Sequence, residues 1–342
     1  MLIAMLLIGV FVLALVLTGL VIRIANRHRL LDIPEQRSAH SQPTPTAGGL
    51  AIASAYGCGV LVGYSQGIIS ADMTILLIPG FILAGLGLLD DRHYLGVRWR
   101  IGTHVLLATL TSLFIGMLPP IPVGSWFLPV GVWSLPVMMM IMVWATNLYN
   151  FMDGIDGLAA AQSCFLCLSA AGLIWSGGDH KNSLAFLLLF VASMGFLVWN
   201  WSPAKIFMGD TGSGFLGFML AAMALISIGE ARMSPWSWVL LPAVFIVDAT
   251  TTLLRRLFGG KIWYQAHNCH AYQHAARRYG HRRVTLAVMA INLLWLLPLS
   301  LLTENAPQYG VYYATMGILP LLWLSLRMQA GEENIKMQPG SL

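Results

Sequence analysis

Long apolar runs separated by short polar connections dominate the hydrophobic pattern of this chain. Runs of about 18 to 22 apolar residues have the length of a helix that crosses a lipid bilayer. The pattern predicts about eleven such helices, at residues 2–22, 46–64, 73–89, 103–118, 131–149, 158–176, 184–200, 213–229, 235–254, 283–302 and 311–328. The predicted fold is therefore all-α, a polytopic integral membrane helical bundle that forms one domain over residues 1–342.

The composition supports this fold class. Hydrophobic residues make up 57% of the chain and charged residues 10%, which excludes an ordinary soluble domain. The first run, residues 2–22, has full spanning length and lacks the features of a cleaved signal peptide, so it is predicted to remain as the first helix. The prolines between Pro119 and Pro136 predict a broken or partly re-entrant segment. The four cysteines lie in apolar runs or in a connection predicted below to be cytoplasmic, so disulfide bonds are not expected.

Positive charges are distributed unevenly between the connections. If the helices alternate sides, all of the 19 Lys and Arg residues except Lys181 and Arg232 fall on one side. Positive residues resist translocation, so this side is predicted to be cytoplasmic, with a periplasmic N-terminus and a cytoplasmic C-terminus. This orientation explains most of the net charge of +5, and no motif outside the membrane favours nucleic acid as a partner.

Acidic residues are few, and several gather at the predicted cytoplasmic ends of the spans. They are Asp90, Asp91, Asp153, Asp156, Asp210 and Asp248. Neighbouring carboxylates repel each other, and a divalent cation relieves that repulsion. For Asp90 and Asp91 the simpler alternative is a solvated helix end. Asp153 and Asp156 are spaced to share one helix face, which favours a binding role with Asn150, although Asp153 alone could be an N-cap.

The segment from Asn200 to Gly217 carries the most specific pattern in the chain. It places Asp210 among glycines and hydroxyls directly before an apolar run. Glycines let backbone N–H groups approach an anion closely, and the Asp210 carboxylate can hold a metal ion. Lys205 adds a positive charge that suits a phosphate. Oxygen ligands without a Cys or His cage suit Mg2+ or Mn2+, although the same segment also serves as a helix cap.

Two further connections carry candidate binding residues. His270 and His274 would share one helix face if their segment is helical, and they are interpreted as imidazoles that face phosphate, with a zinc pair as the alternative. Other histidines, including His104, are interpreted as surface or interfacial residues. The first connection contains Thr46 in a Pro-Thr-Pro-Thr-Ala-Gly-Gly segment, which would act as a clamp over a polar headgroup if it lies beside the aspartate loops.

Five segments, in the same order along the chain, resemble the polyprenyl-phosphate N-acetylaminosugar-1-phosphate transferases of glycosyltransferase family 4. This membrane family includes the enzymes that start O-antigen, enterobacterial common antigen and teichoic acid chains and the muramyl-pentapeptide transferase. The segments are Pro43–Gly49, Asp90-Asp91, Asn150–Gly157, Phe207–Ser213 and the histidine connection. The sequence His270-Ala-Tyr-Gln-His274 is similar to that of the WbpL-type O-antigen initiating transferases. The chain departs from the family at His267, where an aspartate is usual, and in having only His270 of the usual His-x-His-His cluster.

The resemblance implies Mg2+-dependent transfer of a sugar 1-phosphate from a UDP-N-acetylhexosamine to undecaprenyl phosphate, with release of UMP. It implies a site on the cytoplasmic face of the bacterial inner membrane and a role in starting lipopolysaccharide O-antigen synthesis. A homodimer is compatible with this resemblance. The donor would be UDP-GlcNAc or a 6-deoxy relative such as UDP-FucNAc or UDP-QuiNAc. By motif, Asp210 and Asp91 would bind the metal, and Asp90, Asp91 and His270 would be catalytic. Substrate-binding roles would go to Thr46, Asn150, Asp153, Asp156, Asn200, Lys205, Phe207 and His274.

Two other functions are compatible with parts of the pattern. An ion-coupled transporter is one, because an intramembrane carboxylate such as Asp248 often marks a cation path. The gathering of polar residues at one face argues against it, and Asp248 is interpreted instead as a partner of Arg255 or Arg256. A metal-dependent lipid phosphatase is the other, and it would release inorganic phosphate rather than UMP. For a transferase, direct attack is favoured over an aspartyl-phosphate intermediate, because one displacement needs only a metal and an optional base.

Overall fold

The computed structural model describes residues 1–34, 42–93, 95–261 and 267–332. Within these ranges the helices are α1 (Leu2–His28), α2 (Gly49–Ser65), α3 (Ala71–Ile75), α4 (Leu77–His93), α5 (Val97–Ile115), α6 (Ser134–Met152), α7 (Leu158–Ser176), α8 (His180–Asn200), α9 (Gly209–Gly229), α10 (Pro235–Leu240), α11 (Ala243–Phe258), α12 (Ala271–Tyr279), α13 (His281–Ile291), α14 (Leu297–Asn305) and α15 (Gly310–Arg327). The strands are β1 (Leu31–Asp32), β2 (Thr44–Pro45), β3 (Ile121–Val123) and β4 (Trp126–Leu128). Strand β1 pairs with β2 and β3 with β4, both antiparallel.

Every apolar run predicted from the sequence lies on helix, which confirms a polytopic membrane helical protein. Among the described residues, 8 helical segments are long and apolar enough to cross a membrane, and Gly49–Ser65 is a shorter apolar helix. The number of spans and their orientation in the bilayer stay predictions.

Helix α9 lies at the centre of the bundle. It packs against α4, α6, α2, α5 and α7. In its most apolar stretch of 18 residues, 78% is buried inside the protein, whereas 17% of the corresponding stretch of α1 is buried. Small residues allow this close packing. A Cβ added at Gly217 would lie 2.6 Å from the Ala145 carbonyl oxygen on α6, and a Cβ at Gly80 would lie 2.7 Å from the Met219 sulfur on α9. The amino-terminal end of α9 is therefore held in the middle of the bundle, where several connections reach it.

The polar connections separate into two ends of the bundle. The motif-bearing connections meet at one end, called the site end below and defined by Thr46, Asp90 and Asp210. The opposite end has its own polar cluster, in which the Asn182 amide donates to Asp179 (2.7 Å) and Glu230 (2.6 Å). This separation is what strict alternation of the spans predicts.

Two regions that contain proline have conformations that the apolar pattern does not specify. The region from Pro119 to Pro136, predicted as a broken or partly re-entrant segment, contains the β3–β4 hairpin, a 3₁₀ turn and the start of α6. The hairpin contacts α10, since the Trp236 indole donates to the Pro122 carbonyl (2.6 Å). The predicted single helix at 235–254 is divided into α10 and α11 at Pro242, whose missing N–H interrupts the helical hydrogen bonds.

Candidate active site

The carboxyl-terminal end of α4 and the amino-terminal end of α9 meet at the site end. Asp90 and Asp91 lie in the last turn of α4, and Asp210 lies in the first turn of α9. The contact depends on Gly87, because a Cβ at that position would lie 2.4 Å from the Asp210 carbonyl oxygen. A glycine one turn before Asp90 therefore lets these aspartates approach one another.

The Asp91 carboxylate binds the amino-terminal turn of α9. It accepts hydrogen bonds from the backbone N–H of Asp210 (2.9 Å), the backbone N–H of Thr211 (3.3 Å) and the Thr211 hydroxyl (2.7 Å). These N–H groups have no partner inside the helix, and a negative charge there also interacts favourably with the helix dipole. The structure thus gives Asp91, predicted as a metal ligand and catalytic residue, a geometric role in fixing the position of Asp210.

Asp90 and Asp210 share one guanidinium. Arg100, on α5, contacts Asp90 at 2.6 Å and Asp210 at 3.1 Å through its two terminal nitrogens. Asp90 also accepts the backbone N–H of Leu95 (2.6 Å), and the Asn150 amide donates to Asp210 (2.6 Å). Residues from α4, α5, α6 and α9 therefore converge on two carboxylates.

A small cavity opens beside this cluster. Its lining consists of Leu83, Leu86, Gly87, Asp90, Arg100, His104, Thr146, Asn147, Asn150, Asp210 and Gly214. The interpretation of His104 as a surface or interfacial residue is wrong, since it is 8% exposed and faces this cavity. From the sequence, Arg100 was predicted only to be one of the positive charges on the cytoplasmic side. Arg100 and His104 lie four residues apart and share one face of α5, but this spacing carries no signal in the sequence until the groups across the cavity are known.

The donor atoms of this cluster fit a magnesium ion. Asp90 and Asp210 offer carboxylate oxygens, and Mg2+ prefers oxygen ligands and usually keeps water and substrate phosphate oxygens in the rest of its shell. Among the described residues, no group of three or more His, Cys, Asp or Glu side chains is arranged as a complete metal cage. Two carboxylates in an open cavity are consistent with a metal that shares its coordination with phosphates.

Asp153 adds a third carboxylate near this cluster. It follows α6 directly and is half-buried. Burial, together with the negative charges of Asp210 and Asp91, raises the pKa of the Asp153 carboxyl well above its usual range. Asp153 therefore lies close enough to Asp210 and Asp91 for their charges to act on its carboxyl group.

Asp156 faces a different part of the structure from Asp153. The expected shared helix face is wrong, because α7 begins only at Leu158 and both aspartates precede it. Asp156 lies 3.1 Å from the His281 Nδ1 and accepts the Ala204 N–H (3.2 Å). Burial acts to raise the Asp156 pKa, but the hydrogen bond and charge of His281 and the other donors outweigh it and lower the pKa. Asp156 thus joins three connections at the rim of the site.

Of the predicted binding residues, Asn200 ends α8, and Lys205 and Phe207 lie in the connection between α8 and α9. Asn200 is 3% exposed and accepts the Gly157 N–H (3.0 Å) while donating to the Ile206 carbonyl (2.8 Å), so it links two loops. The Lys205 ammonium lies 5.3 Å from the centre of the Trp199 ring and the residue is exposed. Phe207 is half-buried.

The first connection packs directly on the start of α9, as the predicted clamp requires. The Phe207 N–H donates to the Pro45 carbonyl (2.8 Å), and the Gly49 N–H donates to the Met208 carbonyl (2.9 Å). A Cβ at Gly49 would lie 1.9 Å from the Gly212 Cα, so the two backbones touch. Thr46 lies beside Gly209, where a Cβ would be 2.8 Å from the Thr46 hydroxyl oxygen.

His270 is fixed between two connections. It is 2% exposed, serves as the N-cap of α12 and stacks with Phe151, with ring centres 6.1 Å apart. The next aromatic residue, Tyr272, donates its hydroxyl to the Phe151 carbonyl (2.9 Å). These contacts bring the histidine connection against the segment that contains Asn150 and Asp153.

Asp248 anchors α12 rather than an arginine. Its carboxylate accepts the backbone N–H groups of Ala271 (2.9 Å) and Tyr272 (2.8 Å) and lies 3.4 Å from the His270 Nδ1. The interpretation of Asp248 as a partner of Arg255 or Arg256 is therefore wrong, because its carboxylate binds the start of α12 instead. Arg255 instead pairs with Glu332.

His274 lies in the first turns of α12, whose helical form was one of the sequence expectations. Its Nδ1 is 3.1 Å from Arg277, and burial followed by the charge of Arg277 lowers the His274 pKa. A neutral imidazole can still hydrogen-bond a phosphate, so the interpretation of His274 as a phosphate-facing residue stays a prediction.

Comparisons with known proteins find a matching family and several relatives of similar length. The model of glycosyl transferase family 4 matches residues 73–228, which include the α4, α6 and α9 motifs. The chain is 29% identical over 290 residues to the "Probable undecaprenyl-phosphate N-acetylglucosaminyl 1-phosphate transferase" of Bacillus subtilis (strain 168), covering 82% of this chain and 79% of that protein. It is 29% identical over 308 residues to the decaprenyl-phosphate N-acetylglucosaminephosphotransferase of Mycobacterium leprae (strain TN), covering 79% and 76%. It is 25% identical over 302 residues to the phospho-N-acetylmuramoyl-pentapeptide-transferase of Shouchella clausii (strain KSM-K16), covering 82% and 85%.

These relatives confirm the family predicted from the motifs. The expected closeness to WbpL-type transferases stays a prediction, as do the individual site roles.

Proposed function

The chain belongs to glycosyl transferase family 4, and from this premise we propose that it transfers an N-acetylhexosamine 1-phosphate from a UDP-sugar to undecaprenyl phosphate. UMP is the second product. The names of the Bacillus and Mycobacterium relatives include a polyprenyl phosphate and N-acetylglucosamine, and the name of the Shouchella relative includes a phospho-N-acetylmuramoyl group, which supports this reaction class. The proposed site lies on the cytoplasmic face of the bacterial inner membrane, and the product begins O-antigen synthesis.

The observation that carries the proposal is the meeting of Asp90, Asp210, Arg100 and Asn150 at the site end of a membrane-buried bundle. Two phosphate-bearing substrates repel each other, so a site that joins them needs positive charge and fixed polar groups. Carboxylates that could hold a divalent cation, a guanidinium and an amide donor supply this set. A transporter requires no such cluster at one end of the bundle.

We infer that Mg2+ is the cation and that Asp90 and Asp210 hold it, with Asp153 nearby. Bound there, the ion would neutralise negative charge on the phosphates. Asp91 keeps Asp210 in place through the start of α9. Mn2+ has similar ligand preferences and is the alternative ion.

The proposed reaction is a direct displacement. An oxygen of the lipid phosphate forms a bond to the phosphorus next to the sugar, the bond from that phosphorus to the UMP oxygen breaks, and UMP carries the electron pair away. A phosphate monoester has a second pKa of about 6, so the acceptor oxygen needs no general base at neutral pH. Arg100 would stabilise the transferring phosphate, and His270 would contact the donor from the connection that carries it.

The test is incubation of purified protein in detergent micelles with undecaprenyl phosphate, Mg2+ and a panel of UDP-sugars. The panel contains UDP-GlcNAc, UDP-FucNAc and UDP-QuiNAc. The proposal expects UMP and a lipid diphosphate sugar in equal amounts with at least one donor. Release of inorganic phosphate from the lipid alone would instead identify a phosphatase, and no release from any combination would contradict the transferase.

A further inference from the structure

His104 lines the active-site cavity. One nitrogen of its imidazole ring is buried and has no hydrogen-bond partner in the described part of the chain. Its Nδ1 is buried, and the whole residue is 8% exposed. Polar atoms in protein interiors nearly always have a partner, so an unpaired one that borders a cavity indicates a ligand or an ordered water. The cavity that it borders also contains Asp90 and Asp210.

The polar neighbours at this depth are already hydrogen-bonded to their own helix. The Thr146 hydroxyl donates to the Met142 carbonyl (2.8 Å), and the Asn147 amide donates to the Val143 carbonyl (2.7 Å). The Thr146 hydroxyl and one Asn147 N–H are therefore already used, whereas the buried His104 Nδ1 has no partner among the described residues.

The lining of the cavity changes from charged to apolar along α4 and α5. Arg100 lies in the first turn of α5, and His104 lies one turn further from the site end, about 6 Å along the helix axis. On α4, Leu86 and Leu83 precede Asp90 by about one and two turns and line the same cavity. His104 thus lies where a charged wall gives way to an apolar one.

The two substrates of the proposed reaction differ in what they present to such a boundary. A nucleotide sugar is polar over its whole length, whereas the acceptor joins a phosphate directly to a hydrocarbon chain that remains in the bilayer. Resting on the proposed function, we propose that His104 is a binding residue for the phosphate of the lipid acceptor. The imidazole hydrogen-bonds a non-reacting phosphate oxygen, and the first isoprene units lie against Leu83 and Leu86.

In this arrangement Arg100 lies at the reaction centre, and His104 binds the phosphate of the lipid acceptor. Arg100 contacts the carboxylates of the reaction centre. His104 holds the acceptor from the membrane side and takes part in no bond-making step. Its loss should therefore weaken acceptor binding and leave donor binding unchanged.

The test compares three variants of the full-length protein. His104→Leu removes the ring nitrogens, and His104→Asn retains a polar atom near the position of Nδ1. Thr103→Leu is the matched control, because this neighbouring hydroxyl donates to its own helix at Trp99 on an exposed face. Each variant is assayed for the KM of undecaprenyl phosphate, the KM of the UDP-sugar and the binding of a short-chain polyprenyl phosphate without donor, measured by thermal shift.

A hydrogen bond to a charged group is worth about tenfold or more in affinity, so His104→Leu should raise the acceptor KM by about that factor. The donor KM should stay within about twofold, the Asn variant should recover most of the loss, and Thr103→Leu should match wild type. The thermal shift produced by the lipid phosphate should shrink only in His104→Leu.

Equal acceptor affinity in wild type and His104→Leu would overturn this role while leaving the transferase proposal intact. A donor KM that rises as much as the acceptor KM would also overturn it. A wild-type protein that neither binds the lipid phosphate nor releases UMP would overturn both proposals.

Discussion

Replacing Asp91 tests whether this carboxylate fixes the start of α9 or binds a metal. The structure commits both of its oxygens to α9, through the N–H groups of Asp210 and Thr211 and the Thr211 hydroxyl. The perturbations are Asp91→Ala, which removes every acceptor, and Asp91→Asn, which retains one oxygen but no charge. Asp90→Asn is the matched control, because Asp90 accepts no backbone N–H of α9 among the described residues and accepts that of Leu95 instead.

The magnitude follows from these contacts. Loss of a helix N-cap typically costs about 1 kcal/mol, and loss of a favourable charge at a partly buried helix end costs up to about 2 kcal/mol. With donors left unsatisfied in addition, Asp91→Ala should lose about 2–4 kcal/mol of unfolding free energy. Asp91→Asn should lose about 1 kcal/mol, because the amide oxygen keeps part of the cap.

The assay combines thermal unfolding, followed by tryptophan fluorescence in detergent, with UMP release over a range of Mg2+ concentrations. We expect both Asp91 variants to unfold at lower temperature, in the order Ala below Asn below wild type, and Asn to keep the Mg2+ dependence of wild type. Asp90→Asn should keep the unfolding temperature and lose turnover. If Asp91→Asn unfolds like wild type but needs much more Mg2+, the capping role is refuted and Asp91 is a metal ligand.

Three other substitutions test the surrounding structure. Asp248→Asn should lower turnover by about tenfold with a folded protein, because the charge that holds the start of α12 and His270 is lost, and an unchanged kcat would contradict this positioning role. Gly49→Ala should abolish the folded peak in size-exclusion chromatography, because its Cβ would lie 1.9 Å from the Gly212 backbone; Gly85→Ala, which has open space, should fold normally. The folded state lowers the pKa of His274 below its ordinary value of 6.5, so near and below pH 6.5 the unfolded chain binds more protons than the folded protein. Wild type should therefore lose stability as the pH falls below about 6.5. His274→Gln should lose less over the same range, and parallel unfolding curves from pH 7 to 5 would show that His274 makes no such contribution.

The sequence predicted the helices well because the bilayer constrains them strongly. A run of apolar residues long enough to span has few alternatives to a helix, and each predicted run is helical in the structure. The failures came where proline or a connection decides the conformation. The β3–β4 hairpin and the break at Pro242 depend on local hydrogen bonding that hydrophobic periodicity does not describe.

The sequence predicted which residues form the candidate site better than it predicted how they are arranged. The aspartate motifs are recognisable in sequence, and the structure brings Asp90 and Asp210 together. Sequence alone could not distinguish adjacent Asp90 and Asp91, because only the packing of α4 against α9 directs one to Arg100 and the other to the helix cap. His104 was missed because a single histidine in an apolar run gives no signal until its neighbours across the cavity are known.

The central claim is that carboxylates at the site end join two phosphate-bearing substrates, and UMP release by Asp210→Asn tests it most directly. The matched control is Asp72→Asn, which removes an exposed carboxylate at the start of α3, outside the α4–α9 cluster. With undecaprenyl phosphate, Mg2+ and the preferred UDP-sugar, Asp210→Asn should lose turnover by at least about a hundredfold while unfolding like wild type, and Asp72→Asn should be fully active. Wild-type UMP release by Asp210→Asn would contradict the account.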